Sequence, residues 1–275
     1  MDGMIRLVAT DVDGTLVPDG TSQINPEYYS VIEELRRLGI QFAVASGRQE
    51  DSLHRLFAPV KARVFFISSN GGVLSTYNRI LFSTPMRQAD LLELLDQCRQ
   101  LPACELLVAA SNATYCEQGA DPEFLRWLRE EYRFTIEEVP DLRQVCGDAV
   151  KLSVYHKPDG KPHPATVLVE PWKGRLTGVV SGPEWVDFAD PAVQKGTAIR
   201  ILQESLEISP EETMVFGDQL NDLSMLRQAV YSYAVGSARE EVKAAAARIA
   251  PPMREDGVLQ VLKKLAEAKG AAVWE

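Results

Sequence analysis

In its first and last thirds the chain alternates short apolar runs with helical patterns. Ile5–Ala9 and Ile40–Ala45 have the length and composition of buried strands, and the apolar spacing between them predicts a helix over Pro26–Leu38. Met214–Phe216 and Tyr231–Val235 repeat the strand pattern near the carboxyl end. Alternation of this kind predicts a parallel sheet that is covered by helices on both faces.

The remaining pattern divides the chain into a core and an insertion. The further elements predicted for the core are a strand over Val64–Ile67, a turn at Asn70-Gly71-Gly72 and helices at Ala198–Leu206, Leu220–Leu226, Glu240–Arg248 and Val258–Ala268. The middle of the chain mixes helical and strand-like stretches, and Thr166–Pro171 fits either a strand or a short helix. We therefore expect a Rossmann-like, doubly wound α/β core formed by residues 1–84 and 189–275, with an α+β cap domain inserted over residues 85–188.

The composition excludes several classes of protein. The 275 residues are 45% apolar and 25% charged, and the net charge of −10 argues against general nucleic-acid binding. No apolar run approaches the ~20 residues of a membrane helix, and no signal-peptide pattern is visible. The four cysteines form no Cys-x-x-Cys pair, so we expect reduced, mostly buried thiols and no zinc site. The sequence thus predicts a cytoplasmic protein that binds neither membranes nor nucleic acid.

Two carboxylates, a glycine and a hydroxyl follow the first predicted strand, in the string Asp11-Val12-Asp13-Gly14-Thr15-Leu16. A lone Asp-x-Asp is more often a turn or a helix cap, but the longer string is much more specific. One carboxylate is suited to attack phosphorus while the other moves a proton, and a bound Mg²⁺ would relieve their mutual repulsion. This string is therefore a candidate site of phosphoryl chemistry, for which the motifs further along the chain are more decisive.

Other polar motifs support the same site. They are Ser46-Gly47-Arg48 after the second strand, Lys195-Gly196 ahead of a predicted helix, and Gly217-Asp218-Gln219-Leu220-Asn221-Asp222 after the strand Met214–Phe216. Taken alone, each also fits a helix cap, a surface lysine or a polar turn. Ligands of open α/β sheets bind at the carboxyl ends of the strands, and a cation at a helix start hints at a nearby anion. Together the motifs predict one shared site.

With these motifs, the chain resembles the Cof-type phosphatases of the haloacid dehalogenase superfamily, which carry a large α/β cap between their second and third motifs. The resemblance covers the whole chain. Its carboxyl-terminal part is carried by Ala234-Val235-Gly236-Ser237-Ala238, Glu241-Val242-Lys243 and Asp256-Gly257-Val258.

The resemblance implies a catalytic role for each core motif. Asp11 would be the nucleophile that forms an aspartyl-phosphate, and Asp13 the general acid and then the general base. Mg²⁺ would be held by Asp11, the backbone carbonyl of Asp13 and Asp218, with Asp222 orienting the metal site. The residues implied to hold the phosphoryl oxygens are Ser46, the backbone N–H of Gly47, Lys195 and Asn221.

Specificity and reaction type leave alternatives open. Arg48 and Asn70 lie on core loops and are candidate substrate contacts, although each is equally well explained as a surface residue or a turn-former. The expected activity is Mg²⁺-dependent hydrolysis of a small phosphorylated metabolite, such as a sugar phosphate or a phosphorylated cofactor. The alternatives are a sugar phosphomutase and a non-catalytic metabolite-binding protein on the same scaffold.

Overall fold

A computed structural model describes residues 3–18, 21–111, 113–130, 134–157 and 162–272. The chain divides into two compact units, one formed by Met1–Leu81 with Gln194–Glu275 and the other by Phe82–Val193. The second unit is therefore inserted into the first. The predicted α/β fold class, with a parallel-sheet core, is present in the first unit.

The first unit is built on a mixed sheet that has eight strands among the described residues. The strands of this sheet are β1 Leu7–Thr10, β2 Gln41–Ala45, β3 Val64–Ser68, β4 Val73–Thr76, β5 Arg79–Ser83, β12 Thr213–Gly217, β13 Tyr231–Val235 and β14 Arg248–Ala250. Their order in the sheet is β14-β13-β12-β1-β2-β3-β4-β5. The pairs from β14 to β3 are parallel, whereas β4 runs antiparallel to β3. Every residue of β1, β12 and β13 is buried, as expected for strands covered on both faces.

Helices of the first unit present apolar faces to this sheet and to one another. They are α1 Glu27–Arg37, α2 Glu50–Leu56, α6 Lys195–Leu206, α7 Leu223–Leu226, α8 Glu240–Ala245 and α9 Gly257–Glu267. In α1 the buried residues Tyr28, Val31, Ile32 and Leu35 follow the helical spacing seen in the sequence. The sheet register then aligns the ends of the central strands, because Thr10 pairs with both Phe216 of β12 and Val44 of β2.

Two predictions in the last third were wrong in detail. The helix predicted over Glu240–Arg248 ends at Ala245, and Arg248 instead begins the edge strand β14, which pairs in parallel with β13. The helix predicted over Leu220–Leu226 starts as a 3₁₀ turn at Leu220–Asp222 before α7. A three-residue edge strand carries too short a pattern to be separated from the end of a helix by periodicity alone.

The second unit has its own sheet and its own apolar core. Its strands are β6 Cys104–Ala110, β7 Thr114–Glu117, β8 Ile136–Val139, β9 Ala149–His156, β10 Thr177–Gly182 and β11 Trp185–Ala189. Their order in the sheet is β10-β11-β9-β6-β7-β8. The helices of this unit are α3 Gln88–Cys98, α4 Pro122–Glu130 and α5 Pro164–Trp172. Leu107 and Val108 are neighbours on β6 but belong to different apolar clusters, so both faces of this sheet are covered in part. The ambiguous stretch Thr166–Pro171 is helical, since Pro164 opens α5 and the His163 side chain caps it.

Two further findings concern the sequence-based exclusions. Among the residues with described structure, no helix is both long and apolar enough to cross a lipid bilayer. The four cysteines are free thiols, of which Cys98, Cys116 and Cys146 are buried and Cys104 is half-buried.

Candidate active site

The predicted site residues meet at the carboxyl edge of the central strands. Asp11 directly follows β1, Ser46 follows β2 and Asp218 follows β12. These strands are neighbours and parallel, with β1 between β12 and β2. The Asp11 N–H also donates to the Phe216 carbonyl at 2.9 Å, which extends the β1–β12 pairing into the site. Sequence segments about two hundred residues apart are thus brought to one place by strand order.

Three carboxylates form a cluster at this edge. Asp11, Asp218 and Asp222 each offer one oxygen atom, and these oxygen atoms lie within 4.8 Å of one another. All three side chains are buried, with Asp222 fully inaccessible. Asp11 and Asp218 therefore lie close enough to share one cation, as the sequence predicts.

Lys195 neutralises part of this negative charge from the first turn of α6. Its Nζ donates to Asp11 Oδ1 and, at 2.7 Å, to Asp222 Oδ1, and its side chain is fully buried. A cation at a helix start is disfavoured by the helix dipole, and here the two carboxylates supply the compensating anions. The sequence-based hint that an anion lies near Lys195 is explained by this contact.

Backbone and side-chain donors hold the other two carboxylates. Asp222 Oδ2 accepts from the N–H groups of Asp218 (2.9 Å) and Gln219 (3.0 Å). Asp218 accepts from the Thr15 hydroxyl at 2.9 Å and from Gln219 Nε2 at 3.1 Å. With Lys195 on Oδ1, both oxygens of Asp222 are engaged, so this residue fits an orienting role better than that of a direct ligand.

Thr15, Gln219 and Gly14 support Asp218 and were given no role from the sequence. A Cβ at Gly14 would lie 2.3 Å from Asp218 Oδ2, and Gly14 has a φ of +78°, so only glycine fits there without displacing the carboxylate. Gly14 and Thr15 belong to the motif that begins at Asp11, and the hydroxyl directly after the glycine is the sequence feature that could have indicated a role for Thr15. Nothing in the sequence marks Gln219 as a partner of Asp218.

Burial and crowding shift the protonation of this cluster. Burial raises the pKa of Asp11 well above its usual range; Lys195 opposes the shift, and the charges of Asp222 and Asp218 add to it. Burial and the charge of Asp222 raise the pKa of Asp218 to about 6. Burial alone would lower the pKa of Lys195, but Asp11 and Asp222 outweigh it and raise that pKa. The lysine stays charged, and one positive charge does not balance the carboxylates.

The donor set fits a magnesium ion. Asp11 Oδ2 is buried and has no hydrogen-bond partner among the described residues. A buried, unpaired carboxylate oxygen costs free energy unless a cation or a proton compensates it. Carboxylate oxygens are the hard ligands that Mg²⁺ takes, and it keeps several waters besides. The residues that would hold it are Asp11 and Asp218, with the Asp13 carbonyl as the implied third ligand.

Asp13 lies beside the cluster and is paired with Arg48. Arg48 donates from Nε to Asp13 Oδ2 at 2.9 Å and from Nη2 to Oδ1 at 2.6 Å, a bidentate contact. The Ser46 hydroxyl lies 3.4 Å from Asp13 Oδ2 and accepts from the Arg48 N–H. Ser46 is not the cap of α2, because that helix begins at Glu50 with Gln49 before it. Arg48, a candidate substrate contact, thus holds the candidate acid–base group in this structure.

The remaining candidates lie on loops next to these groups. Asn221 Nδ2 donates to Asn70 Oδ1 at 2.9 Å, and a Cβ at Gly47 would lie 3.2 Å from that same oxygen. Gly47, Asn70 and Asn221 are therefore close together. The structure brings all the predicted core residues to one edge of the sheet.

A model of one protein family matches residues 8–262, and its description is haloacid dehalogenase-like hydrolase. The chain belongs to the haloacid dehalogenase-like hydrolases. The resemblance inferred from the motifs is thereby confirmed, and with it the prediction that the protein is an enzyme of the hydrolase class.

Relatives of this haloacid dehalogenase-like hydrolase are named as phosphatases. It is 27% identical over 261 residues to the 5-amino-6-(5-phospho-D-ribitylamino)uracil phosphatase of Escherichia coli, covering 95% of this chain and 96% of that protein. It is 28% identical over 261 residues to a phosphoglycolate phosphatase of Methanoculleus marisnigri, covering 95% of this chain and 97% of that one. The two relatives are about equally similar to this chain, but their names specify different substrates.

Solved structures share the fold of this hydrolase. A crystal structure of a protein from Eubacterium rectale has a TM-score of 0.87 and 40% identity, covering 96% of this chain and 100% of that chain. The predicted α/β fold class is confirmed by this match.

Proposed function

We propose that this hydrolase is a Mg²⁺-dependent phosphatase that acts on a small phosphorylated metabolite through an aspartyl-phosphate on Asp11. One observation carries the proposal: within the described part of the chain, the buried Asp11 carboxylate has one oxygen without a hydrogen-bond partner, and it lies among Asp218, Asp222 and Lys195. A carboxylate held this way is oriented and desolvated, and a bound cation would stabilise its charge. These are the properties expected of a nucleophile that attacks a metal-bound phosphoryl group.

In the first step the Asp11 carboxylate attacks phosphorus and the ester oxygen leaves. Asp13 gives its proton to the leaving oxygen, so the products are an alcohol and an acyl phosphate on Asp11. In the second step a water attacks the same phosphorus, Asp13 takes its proton, and the Asp11 carboxylate is released with inorganic phosphate. The second step thus restores the Asp11 carboxylate and the Asp13 proton that the first step consumed.

Positioning supplies the rest of the rate enhancement. The donors proposed for the phosphoryl oxygens are the Ser46 hydroxyl, the Gly47 N–H, the Asn221 amide and the Lys195 ammonium. They come from different loops at one sheet edge, so a bound phosphoryl group would be held from several sides. Bound Mg²⁺ would neutralise charge on the carboxylates and the phosphoryl oxygens.

The substrate class proposed is a sugar phosphate or a phosphorylated cofactor. The relative from Escherichia coli, whose named substrate carries a phosphorylated ribityl chain, supports this class. The relative named for phosphoglycolate extends the candidates to smaller phosphorylated acids.

A phosphate-release assay tests the proposal. Wild type and Asp11→Asn are incubated with sugar phosphates, phosphorylated cofactor precursors and phosphoglycolate, each with Mg²⁺ or with EDTA. We expect release by wild type with Mg²⁺, little release in EDTA and none by Asp11→Asn, with an unchanged fold. Release that is indifferent to EDTA and to Asp11→Asn would contradict the proposal, and transfer to a second sugar hydroxyl without phosphate release would show a phosphomutase.

A further inference from the structure

The turn after β3 has an unusual backbone. Ser69, Asn70 and Gly71 have φ values of 51°, 59° and 104°, so three consecutive residues lie in the left-handed region. Asparagine tolerates this region, but serine adopts it rarely. Such a run persists only where surrounding contacts hold it, and it is typical of functional sites.

The backbone of this turn is bonded to the loop after β2. The Ser69 N–H donates to the Arg48 carbonyl at 2.9 Å, and the Asn70 N–H donates to the Ser46 carbonyl at 2.9 Å. The turn therefore fixes both ends of the Ser46-Gly47-Arg48 loop.

The same turn also lies against the start of α6. A Cβ at Gly71 would be 2.3 Å from the Gln194 carbonyl oxygen and 3.0 Å from the Lys195 nitrogen. Only a glycine allows this approach, which places the turn against the residue that carries the buried ammonium. Two of the polar motifs are thus in contact with this turn through its backbone.

The Asn70 side chain reaches a third motif. Its Oδ1 accepts from Asn221 Nδ2 at 2.9 Å, and a Cβ at Gly47 would lie 3.2 Å from Asn70 Oδ1 and 3.4 Å from its Nδ2. The Asn70 amide therefore lies between the two loops proposed to hold the phosphoryl oxygens.

We propose that Asn70 is a positioning residue that fixes the orientation of the Asn221 amide. A free asparagine amide presents either its oxygen or its nitrogen to a ligand, and only the N–H end binds an anion. Because Asn70 Oδ1 accepts one N–H of Asn221, the second N–H of that group is left to donate to a phosphoryl oxygen. This inference rests on the proposed function, since it takes Asn221 as a phosphoryl donor.

Two substitutions separate the amide of Asn70 from its backbone conformation. Asn70→Gly keeps the left-handed backbone and the N–H bond to Ser46 but removes the amide. Asn70→Ala removes the amide and also opposes the left-handed conformation. The probe is orthovanadate with Mg²⁺, its affinity measured by calorimetry, alongside the melting temperature of each variant.

We expect both variants to bind orthovanadate about 10-fold more weakly than wild type, the scale of one charge-assisted hydrogen bond. Asn70→Gly should keep or raise the melting temperature, whereas Asn70→Ala should lower it. If the two variants lose affinity for orthovanadate equally but differ in melting temperature, the loss is caused by removal of the Asn70 amide and not by backbone strain. Wild-type affinity in Asn70→Gly, or affinity that follows the melting temperature, would overturn the inference.

A double-mutant cycle tests whether Asn70 acts through Asn221. We expect Asn70→Gly/Asn221→Ala to bind orthovanadate no more weakly than Asn221→Ala alone. If the double variant instead loses affinity by the product of the two single-variant losses, Asn70 does not act through Asn221 and the positioning role is overturned. Failure of wild type to bind orthovanadate would contradict the proposed function itself, and the wild-type titration separates that outcome from the others.

Discussion

The Lys195 ammonium donates a hydrogen bond to the Asp11 carboxylate, and this contact joins residues that are 184 positions apart. Both side chains are buried, so the pair is shielded from solvent and depends on correct assembly of β1 with α6. Lys195 holds one oxygen of Asp11 and leaves the other without a partner among the described residues. The lysine thus orients the proposed nucleophile and lowers the free-energy cost of burying its negative charge.

Replacing Lys195 with methionine should destabilise the protein by about 3–5 kcal/mol near neutral pH, because it leaves buried carboxylates without their cation. Urea unfolding in EDTA measures this. The loss should shrink on acidification, since burial raises the pKa values of Asp11 and Asp218 and protonation then removes the repulsion. Lys263→Met, which breaks an exposed ion pair with Glu27, is the matched control and should cost at most about 1 kcal/mol. Equal effects of the two substitutions would argue against a buried charge cluster.

Gly14→Ala should weaken Mg²⁺ binding by about 10-fold or more, because the new Cβ would displace the Asp218 carboxylate. Gly39→Ala is the control: Gly39 has a φ of +81°, but outside its chain neighbours no atom of the described residues lies within 4 Å of an added Cβ. Both substitutions should cost about 1–2 kcal/mol of stability from the left-handed backbone, but only Gly14→Ala should change the affinity in a Mg²⁺ titration. Loss of Mg²⁺ binding in both variants would show that general destabilisation is the cause.

Stabilisation by Mg²⁺ should weaken as the pH falls through about 6. Burial and the charge of Asp222 raise the pKa of Asp218 to about 6, above the pKa of about 3.9 that an aspartate has in an unfolded chain. Between these values the metal-free native protein holds a proton that the unfolded chain lacks, so stability in EDTA is lost as the pH rises through this window. Mg²⁺ must displace that proton at low pH. The difference in melting temperature between Mg²⁺ and EDTA should therefore shrink from about pH 7.5 to about pH 5. A constant difference would show that Mg²⁺ does not compete with a proton on Asp218.

Arg48→Lys should lower turnover by about 10-fold or more while leaving the melting temperature within a few degrees, because lysine cannot reproduce the bidentate contact to Asp13. Steady-state kinetics with the substrate identified by the phosphate-release assay measures the effect. Arg55→Lys, in the exposed pair with Asp51, is the control and should be silent. Unchanged turnover in Arg48→Lys would show that Asp13 does not depend on this contact.

The sequence indicated that these residues lie together because the evidence for each motif was local. Asp11 and Asp218 each follow a short apolar strand, and ligands bind at the carboxyl ends of parallel strands, so the sequence alone places these two residues near each other. The resemblance to a known family then suggested a role for each residue. Neither kind of evidence depends on the geometry of individual side chains.

What the sequence did not predict depends on contacts between distant segments. The hydrogen bond from Thr15 to Asp218 and that from Asn221 to Asn70 join residues 203 and 151 positions apart, and no periodicity encodes such pairs. The bidentate contact of Arg48 with Asp13 was missed for the same reason. Arg248, the first residue of the strand Arg248–Ala250, was wrongly predicted as the end of a helix, because pairing with β13 rather than local propensity decides its conformation.

Trapping the covalent intermediate shows whether Asp11 is the nucleophile. Asp13→Asn is mixed with p-nitrophenyl phosphate and Mg²⁺, quenched in acid and digested, and the peptide containing Asp11 is weighed by mass spectrometry. This leaving group departs without a proton, so the first step proceeds while the second, which needs a base, is slow. We expect a peptide that is heavier by one phosphoryl group on Asp11, and we expect no such peptide from Asp11→Asn/Asp13→Asn. Turnover of p-nitrophenyl phosphate by wild type without any phosphorylated Asp11 in the quenched variant would contradict it.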